Sequence, residues 1–181
     1  MWRYFAPAVA FLALGGLFAY ALMRIDQGKL DIREIQSPLI GKAAPSFVLP
    51  SLTDPPHQID SHALAGKPYI LNVWGTWCGE CRAEHPALMT LARTIGLPII
   101  GLDWKDEHSD ARAYLAQLGN PYAEVAADDV GRTAIDWGVY GAPETFLVSA
   151  DGIVLAKHIG AISEAVWEKK FAPHLKNGGR S

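Results

Sequence analysis

The chain has 181 residues, half of them apolar and 19% charged, with a formal net charge of -3. This length fits one domain of ordinary size plus an extra segment, large enough to pack a core without help from a disulfide. No Lys/Arg run or basic patch is present, which excludes nucleic acid as a partner.

Residues 4–23, YFAPAVAFLALGGLFAYALM, carry no charge. As a helix this run is about 30 Å long, the thickness of a bilayer's hydrocarbon core. Trp2 and Tyr4 at one end and Tyr20 at the other sit where interfacial aromatics belong. An N-terminal membrane anchor is therefore expected over residues 1–23. The alternative is a removed signal peptide cut after Ala19-Tyr20-Ala21, although the apolar region of such a signal is shorter, about 7–15 residues. Arg3 precedes the run, while Arg24, Lys29 and Arg33 come after it. By the positive-inside count this favours a cytoplasmic placement of the domain. Residues 24–39 read as a polar linker, 40–176 as the domain and 177–181 as a disordered tail.

Within the domain, Phe47–Leu49 between Pro45 and Pro50 predicts an edge strand. DPPHQID (54–60) predicts a turn, then a brief strand and a short helix from Ser61. YILNVW (69–74), bounded by Pro68 and Gly75, predicts a buried strand. A helix is expected from Cys78 to Ile95, with Ala87, Leu88, Leu91, Ala92 and Ile95 at helical spacing. PIIGLD (98–103) is the next strand, and 109–119 a helix with Ser109 as N-cap and Gly119 past its end. A strand over 122–127 and a short helix over 128–139 come next. Two strands joined at Ala150-Asp151-Gly152 make a hairpin, and a helix capped by Ser163 closes the domain. The pattern is α/β with a central mixed sheet flanked by helices.

Both cysteines lie in GTWCGECRAEHP (75–86). Three uses compete: redox exchange, metal binding and a structural staple. A bridge closing so small a loop constrains the unfolded chain little, which weakens the staple. A Cys-x-x-Cys pair between a strand and a helix is a thioredoxin-like redox arrangement. Cys78 at the helix N-terminus would have its thiolate favoured by unpaired N–H groups and the helix dipole. Cys81, one turn on, is placed to attack the Cys78 sulfur after Cys78 has attacked a client disulfide. Glu80 between them opposes thiolate formation, whereas Arg82 acts the other way. Glu84, a turn beyond Cys81, is a candidate acceptor for the Cys81 proton. Trp77 is read as shielding the pair and offering clients a surface, with Trp104 as a further candidate for that groove. Trp74, Trp137 and Trp167 are read as core. Downstream, GVYGAPETFLV places Ala142-Pro143 just before a strand. A cis-proline there would make a sharp turn, leaving the Ala142 backbone free to pair with an extended substrate.

At these residues the chain resembles the membrane-tethered thioredoxin-like proteins of cytochrome c maturation, the CcmG/DsbE type. The similarity runs from about Ile40 to Trp167, and NVWGTWCGECRAEHPAL and GVYGAPETFLV are its most specific parts. The resemblance implies a thioredoxin-like fold preceded by one transmembrane helix. It also implies single-pass anchoring in the inner membrane with the domain in the periplasm, against the charge count. The implied activity is reduction of disulfides in an apocytochrome CxxCH segment or its thiol partner, with a membrane thiol-reductant transporter as electron donor and no cofactor. Position by position, Cys78 becomes the attacking thiol, Cys81 the resolving thiol, Glu84 the acidic modulator and Pro143 the cis-proline. Asn72 departs from ordinary thioredoxins, which carry a buried aspartate there, and this makes Glu84 the candidate for the proton relay. Gly79-Glu80 is not the Gly-Pro of thioredoxin, so the potential cannot be copied from it. Two rival readings are a copper-delivery protein using Cys78, Cys81 and a histidine such as His85, and a thiol peroxidase on the same fold. The other histidines, His57, His62, His108, His158 and His174, show no ligand spacing.

Overall fold

The computed structural model describes residues 2–26 and 37–176. The expected tail at 177–181 and most of the expected linker lie outside the described residues. The chain divides into two units, residues 1–35 and 36–181.

In the first unit, α1 (Trp2–Asp26) is one helix of 25 residues. Every side chain described from Val9 to Met23 is exposed, including Phe11, Leu12, Leu14 and Phe18. Among the described residues, which leave out side chains at both ends of α1, no helix is long and apolar enough to cross a membrane. The structure therefore does not show the anchor expected over residues 1–23.

The second unit opens with an antiparallel pair, β1 (Val48–Pro50) and β2 (Gln58–Asp60). A 3-10 turn, Ser61–Leu64, comes next, capped by the Asp60 carboxylate, which accepts from the His62 N–H. The main sheet holds β3 (Tyr69–Trp74), β4 (Ile99–Trp104), β5 (Glu124–Asp128), β6 (Glu144–Val148) and β7 (Val154–Ile159). Their order is β5-β4-β3-β6-β7, with β3, β4 and β5 parallel and β6 and β7 antiparallel to their neighbours. β3 is central and buried at every residue, which explains its unbroken apolar run. The helices α2 (Gly79–Thr94), α3 (His108–Leu118) and α4 (Arg132–Asp136) supply the connections.

The pleat sends alternate β3 side chains to opposite faces. Ile70 and Trp74 pack with Leu88 and Leu91 of α2 and with Ala111, Tyr114 and Leu115 of α3. Leu71 and Val73 pack on the other face with Phe47, Trp137 and Phe146. Trp74, Trp137 and Trp167 are all buried, as expected. Gly101 lets these layers close: a Cβ there would lie 2.9 Å from both the Trp74 indole nitrogen and the Tyr122 ring.

Several boundaries differ from expectation. The strand expected over 122–127 begins at Glu124, because Asn120 Oδ1 accepts from the Tyr122 N–H and holds a turn there. α3 starts at His108 with Glu107 as its N-cap residue, so Ser109 is already inside the first turn. The Asp106 carboxylate accepts from the Glu107 N–H and turns the chain into the helix two residues early. The closing helix is capped by Ser163 Oγ as expected, but a π turn, Trp167–Phe171, interrupts it between Glu164–Val166 and Ala172–Lys176.

Candidate active site

The site forms where β3 runs into α2. Cys78 is the N-cap residue of α2, with extended backbone, and its Sγ accepts from the Cys81 N–H at 3.0 Å. The sulfur thus occupies the place usually taken by a capping oxygen, facing the positive end of the helix. Cys78 and Cys81 are joined in a disulfide, with Cα atoms 5.3 Å apart. Both cysteines are buried, whereas Trp77 beside them is 54% exposed. The Trp77 indole folds back over Gly75, where a Cβ would stand 2.5 Å from its nitrogen, and donates to the Trp104 carbonyl at 3.1 Å. The two indoles meet edge to face at 5.6 Å.

Glu84 lies three residues past Cys81, on the same buried face of α2. It is 1% exposed. The Asn72 amide donates to Oε1 at 3.0 Å and the Ile162 N–H to Oε2 at 2.6 Å. Asn72 also donates to Thr145 Oγ1 and accepts from the Tyr122 hydroxyl, so its hydrogen-bonding groups are fully engaged. Burial drives the Glu84 carboxyl from 4.5 up to about 7 against those two donors, with a further push from Glu80. Burial likewise holds the Tyr122 hydroxyl far above its ordinary range, so it stays a donor.

The Ala142-Pro143 bond is cis. The Pro143 carbonyl accepts from the Gly160 N–H at 2.9 Å. Two residues on, Ile162 donates to Glu84, so the segment 160–162 ties the proline turn to the helix carrying the cysteines. Ala142 is half-buried and packs against the core cluster that contains both cysteines.

The geometry thus sets Cys81 and Glu84 on one face of α2 with Cys78 at its cap and Trp77 beside it, and links the Ala142-Pro143 turn to that helix through residues 160–162. Arg82 turns aside and lays its guanidinium 4.8 Å over the Tyr114 ring. His85 is committed elsewhere: its Nε2 bonds the Gly119 carbonyl at 3.0 Å and its ring meets Tyr114 edge-on. Burial lowers its pKa. Among the described residues no group of three His, Cys, Asp or Glu side chains is arranged to hold a metal ion.

A model of the Redoxin family matches residues 39–171. The thiol:disulfide interchange protein DsbE of Allochromatium vinosum is 44% identical over 171 residues, 94% of this chain and 91% of that protein. DsbE of Escherichia coli K12 is 42% identical over 168 residues, covering 92% and 90% of the two chains. The chain belongs to the redoxin family, as a thiol:disulfide oxidoreductase of the DsbE/CcmG type. A solved thiol:disulfide interchange protein from Chlorobium tepidum is 29% identical, with a TM-score of 0.57 over 70% of this chain and 91% of that one. The thioredoxin-like α/β fold read from the sequence is thereby shown.

Sequence reasoning missed four polar side chains near the loops that build the site. Lys157 and Glu144 form an ion pair at 2.8 Å with side chains 4% and 0% exposed. Asp103, near the end of β4, is 2% exposed. Asp106, just past β4, holds Thr76 in the loop before the cysteines. The signal available for Asp103 and Asp106 was their position at the C-terminal end of a parallel strand, where α/β sites gather. Lys157 gave none, because a lysine on a β7 strand reads as solvated.

Proposed function

We propose that the chain is a membrane-tethered periplasmic reductant of disulfides in cytochrome c biogenesis. Its client is an apocytochrome CxxCH segment or the thiol partner of one, and a membrane thiol-reductant transporter recharges it. The observation that carries this reading is the Cys78 sulfur at the cap of α2, bonded to Cys81 one turn above a buried Glu84. The resemblance through GVYGAPETFLV supports the assignment to cytochrome maturation, and the DsbE relatives support thiol:disulfide interchange. The uncharged run 4–23, helical and exposed wherever described, supports an anchor over residues 1–23 joined by a linker to a domain over 40–176. A reductant beside a membrane is useful where thiols would otherwise be oxidised, which favours the periplasmic side.

In the reduced enzyme the Cys78 thiolate attacks one sulfur of the client disulfide. The client S–S bond breaks, a mixed disulfide forms on Cys78, and the client's other sulfur leaves as a thiolate that takes a proton. Cys81 gives its proton to the Glu84 carboxylate and attacks the Cys78 sulfur. The mixed disulfide breaks, the second client thiol departs and the Cys78–Cys81 bond re-forms. Two electrons have passed to the client, and a donor dithiol restores them. Ala142 and the cis-Pro143 turn offer backbone to the client strand, with Trp77 covering the exposed side.

Cys81→Ser is expected to trap exported CxxCH proteins as mixed disulfides on Cys78, detected by non-reducing electrophoresis and mass spectrometry. Absence of any adduct on Cys78 would sink the reading. A redox titration separates the direction of flow: a potential near thioredoxin's, about -270 mV, fits a reductant, and one near about -120 mV an oxidant.

A further inference from the structure

We propose that Asp106 is a positioning residue for the attacking thiol: its carboxylate clamps Thr76 and so fixes the Thr76-Trp77 turn that seats Cys78 at the cap of α2. This rests on the reading of Cys78 as the attacking sulfur. Trp74 and Asp103 are register partners at the ends of β3 and β4, so the loops leaving the two strands emerge side by side. Asp106 Oδ2 accepts from the Thr76 backbone N–H and Oδ1 from the Thr76 hydroxyl, the latter at 2.7 Å. Next to it the Trp104 carbonyl accepts from the Trp77 indole. Residues 104 and 106 together therefore bind three donors on the two residues that precede Cys78.

The turn that presents these acceptors is itself held under strain. Lys105 has φ 51, the one positive φ at a non-glycine among the described residues. A side chain in that left-handed region brings its Cβ too close to the following carbonyl oxygen, so the conformation must be held by its surroundings. Its N–H is bound to the Asp128 carbonyl at 3.1 Å, which fixes the turn from the β5 side. Three residues before Asp106 lies the buried Asp103, 2% exposed. Burial first, and then the charges of Asp106 and Asp129, push the Asp103 carboxyl up to about 8.

Positioning and simple charge make opposite predictions. If Asp106 acted on Cys78 only through its negative charge, removing it would favour the thiolate and lower the thiol pKa. If it positions Cys78, removing it loosens the bond from the Cys81 N–H to Sγ, and the thiol pKa rises. The test is alkylation of the reduced full-length chain across pH, with Cys78→Ser as the assignment control. Asp106→Ala is expected to move the midpoint of Cys78 alkylation upward and to slow attack on a model disulfide about tenfold. Thr76→Val, which removes one of the three donors, is expected to move the midpoint the same way by less, and it serves if Asp106→Ala does not fold. Adding Thr76→Val to Asp106→Ala is expected to change little more, because the hydroxyl contact it removes is already lost with the Asp106 carboxylate. A midpoint that falls or stays put in the folded variants overturns the positioning role while leaving Cys78 as nucleophile. An alkylation midpoint that is unchanged in Cys78→Ser, where Cys81 is the remaining thiol, overturns the reading beneath it.

Discussion

Glu84 is the side chain whose proton state is set to change near neutrality. A carboxyl that ionises at about 7 divides its time between acid and base at working pH, the range in which general acid–base catalysis is most effective. Burial supplies the upward shift, and the Asn72 amide and Ile162 N–H restrain it. The resolving step, attack of Cys81 on the mixed disulfide, should therefore accelerate with a midpoint near pH 7 as Glu84 becomes able to accept the proton. Glu84→Gln is expected to abolish that inflection and slow the step by about 100-fold, the lower part of the usual range for a positioned base. Stopped-flow Trp77 fluorescence from pH 6 to 9 measures it, and a rate identical to wild type across that range would make Glu84 a bystander. Asn72→Asp offers a sharper variant. It would set a second carboxyl about 3 Å from Glu84, and like charges that close cannot both ionise, so the midpoint should climb well above 7.

The loop between α4 and β6 is built as one element around a buried cation. Lys157, on β7, donates to the Gly138 carbonyl at 2.8 Å and pairs with Glu144 Oε2, while Glu144 Oε1 accepts from the Tyr140 N–H at 2.9 Å. The Lys157 ammonium also lies 5.0 Å from both the Tyr140 and Phe146 rings. The turn running into cis-Pro143 is thus held from below at residues 138 and 140. Removing one partner of a buried pair leaves an uncompensated charge and costs about 3–5 kcal/mol. Lys157→Met is expected to lose stability on that scale in urea melts and to raise KM for a disulfide client more than it lowers kcat. A change confined to stability would separate the loop's shape from client binding. This loop also marks where the sequence stops being readable. The strand 69–74, the helix carrying the cysteines and the proline turn rest on local signals: an apolar run, a Cys-x-x-Cys spacing, an Ala-Pro before a strand. The Lys157–Glu144 pair is a cross-strand contact between β6 and β7 with no local trace. The displaced start of α3 has the same origin, because Asp106 is recruited by Thr76, 30 residues away, and turns the chain before Ser109 can cap it.

At the scale of the whole domain, Glu84 and Asp103 act in concert on stability. Both point to the side of the sheet covered by α2 and α3, and both hold protons more tightly in the folded chain than in the unfolded one. Glu84 moves from 4.5 to about 7 and Asp103 from 3.8 to about 8, each chiefly through burial. Between about pH 4 and pH 8 the folded state therefore binds more protons than the unfolded state, and stability must fall as pH rises through that window. Below it both states are protonated, so the full stability is retained; above it both are ionised and the loss is complete. Glu84 alone would account for on the order of 3 kcal/mol of that loss. A surface without these two acids would show the opposite trend over the lower half of the window, because paired carboxylates gain stability as they ionise. Urea midpoints of the oxidised chain from pH 4 to 9 at constant salt are expected to decline toward alkaline pH. Glu84→Gln and Asp103→Asn should each flatten the decline, the former between pH 4.5 and 7 and the latter up to about pH 8. The domain thus gives up stability at neutral pH in order to keep an ionisable acid beneath Cys81, the exchange expected where function requires a strained site. Midpoints that rise across the window in wild type would show that neither carboxyl is protonated in the folded protein.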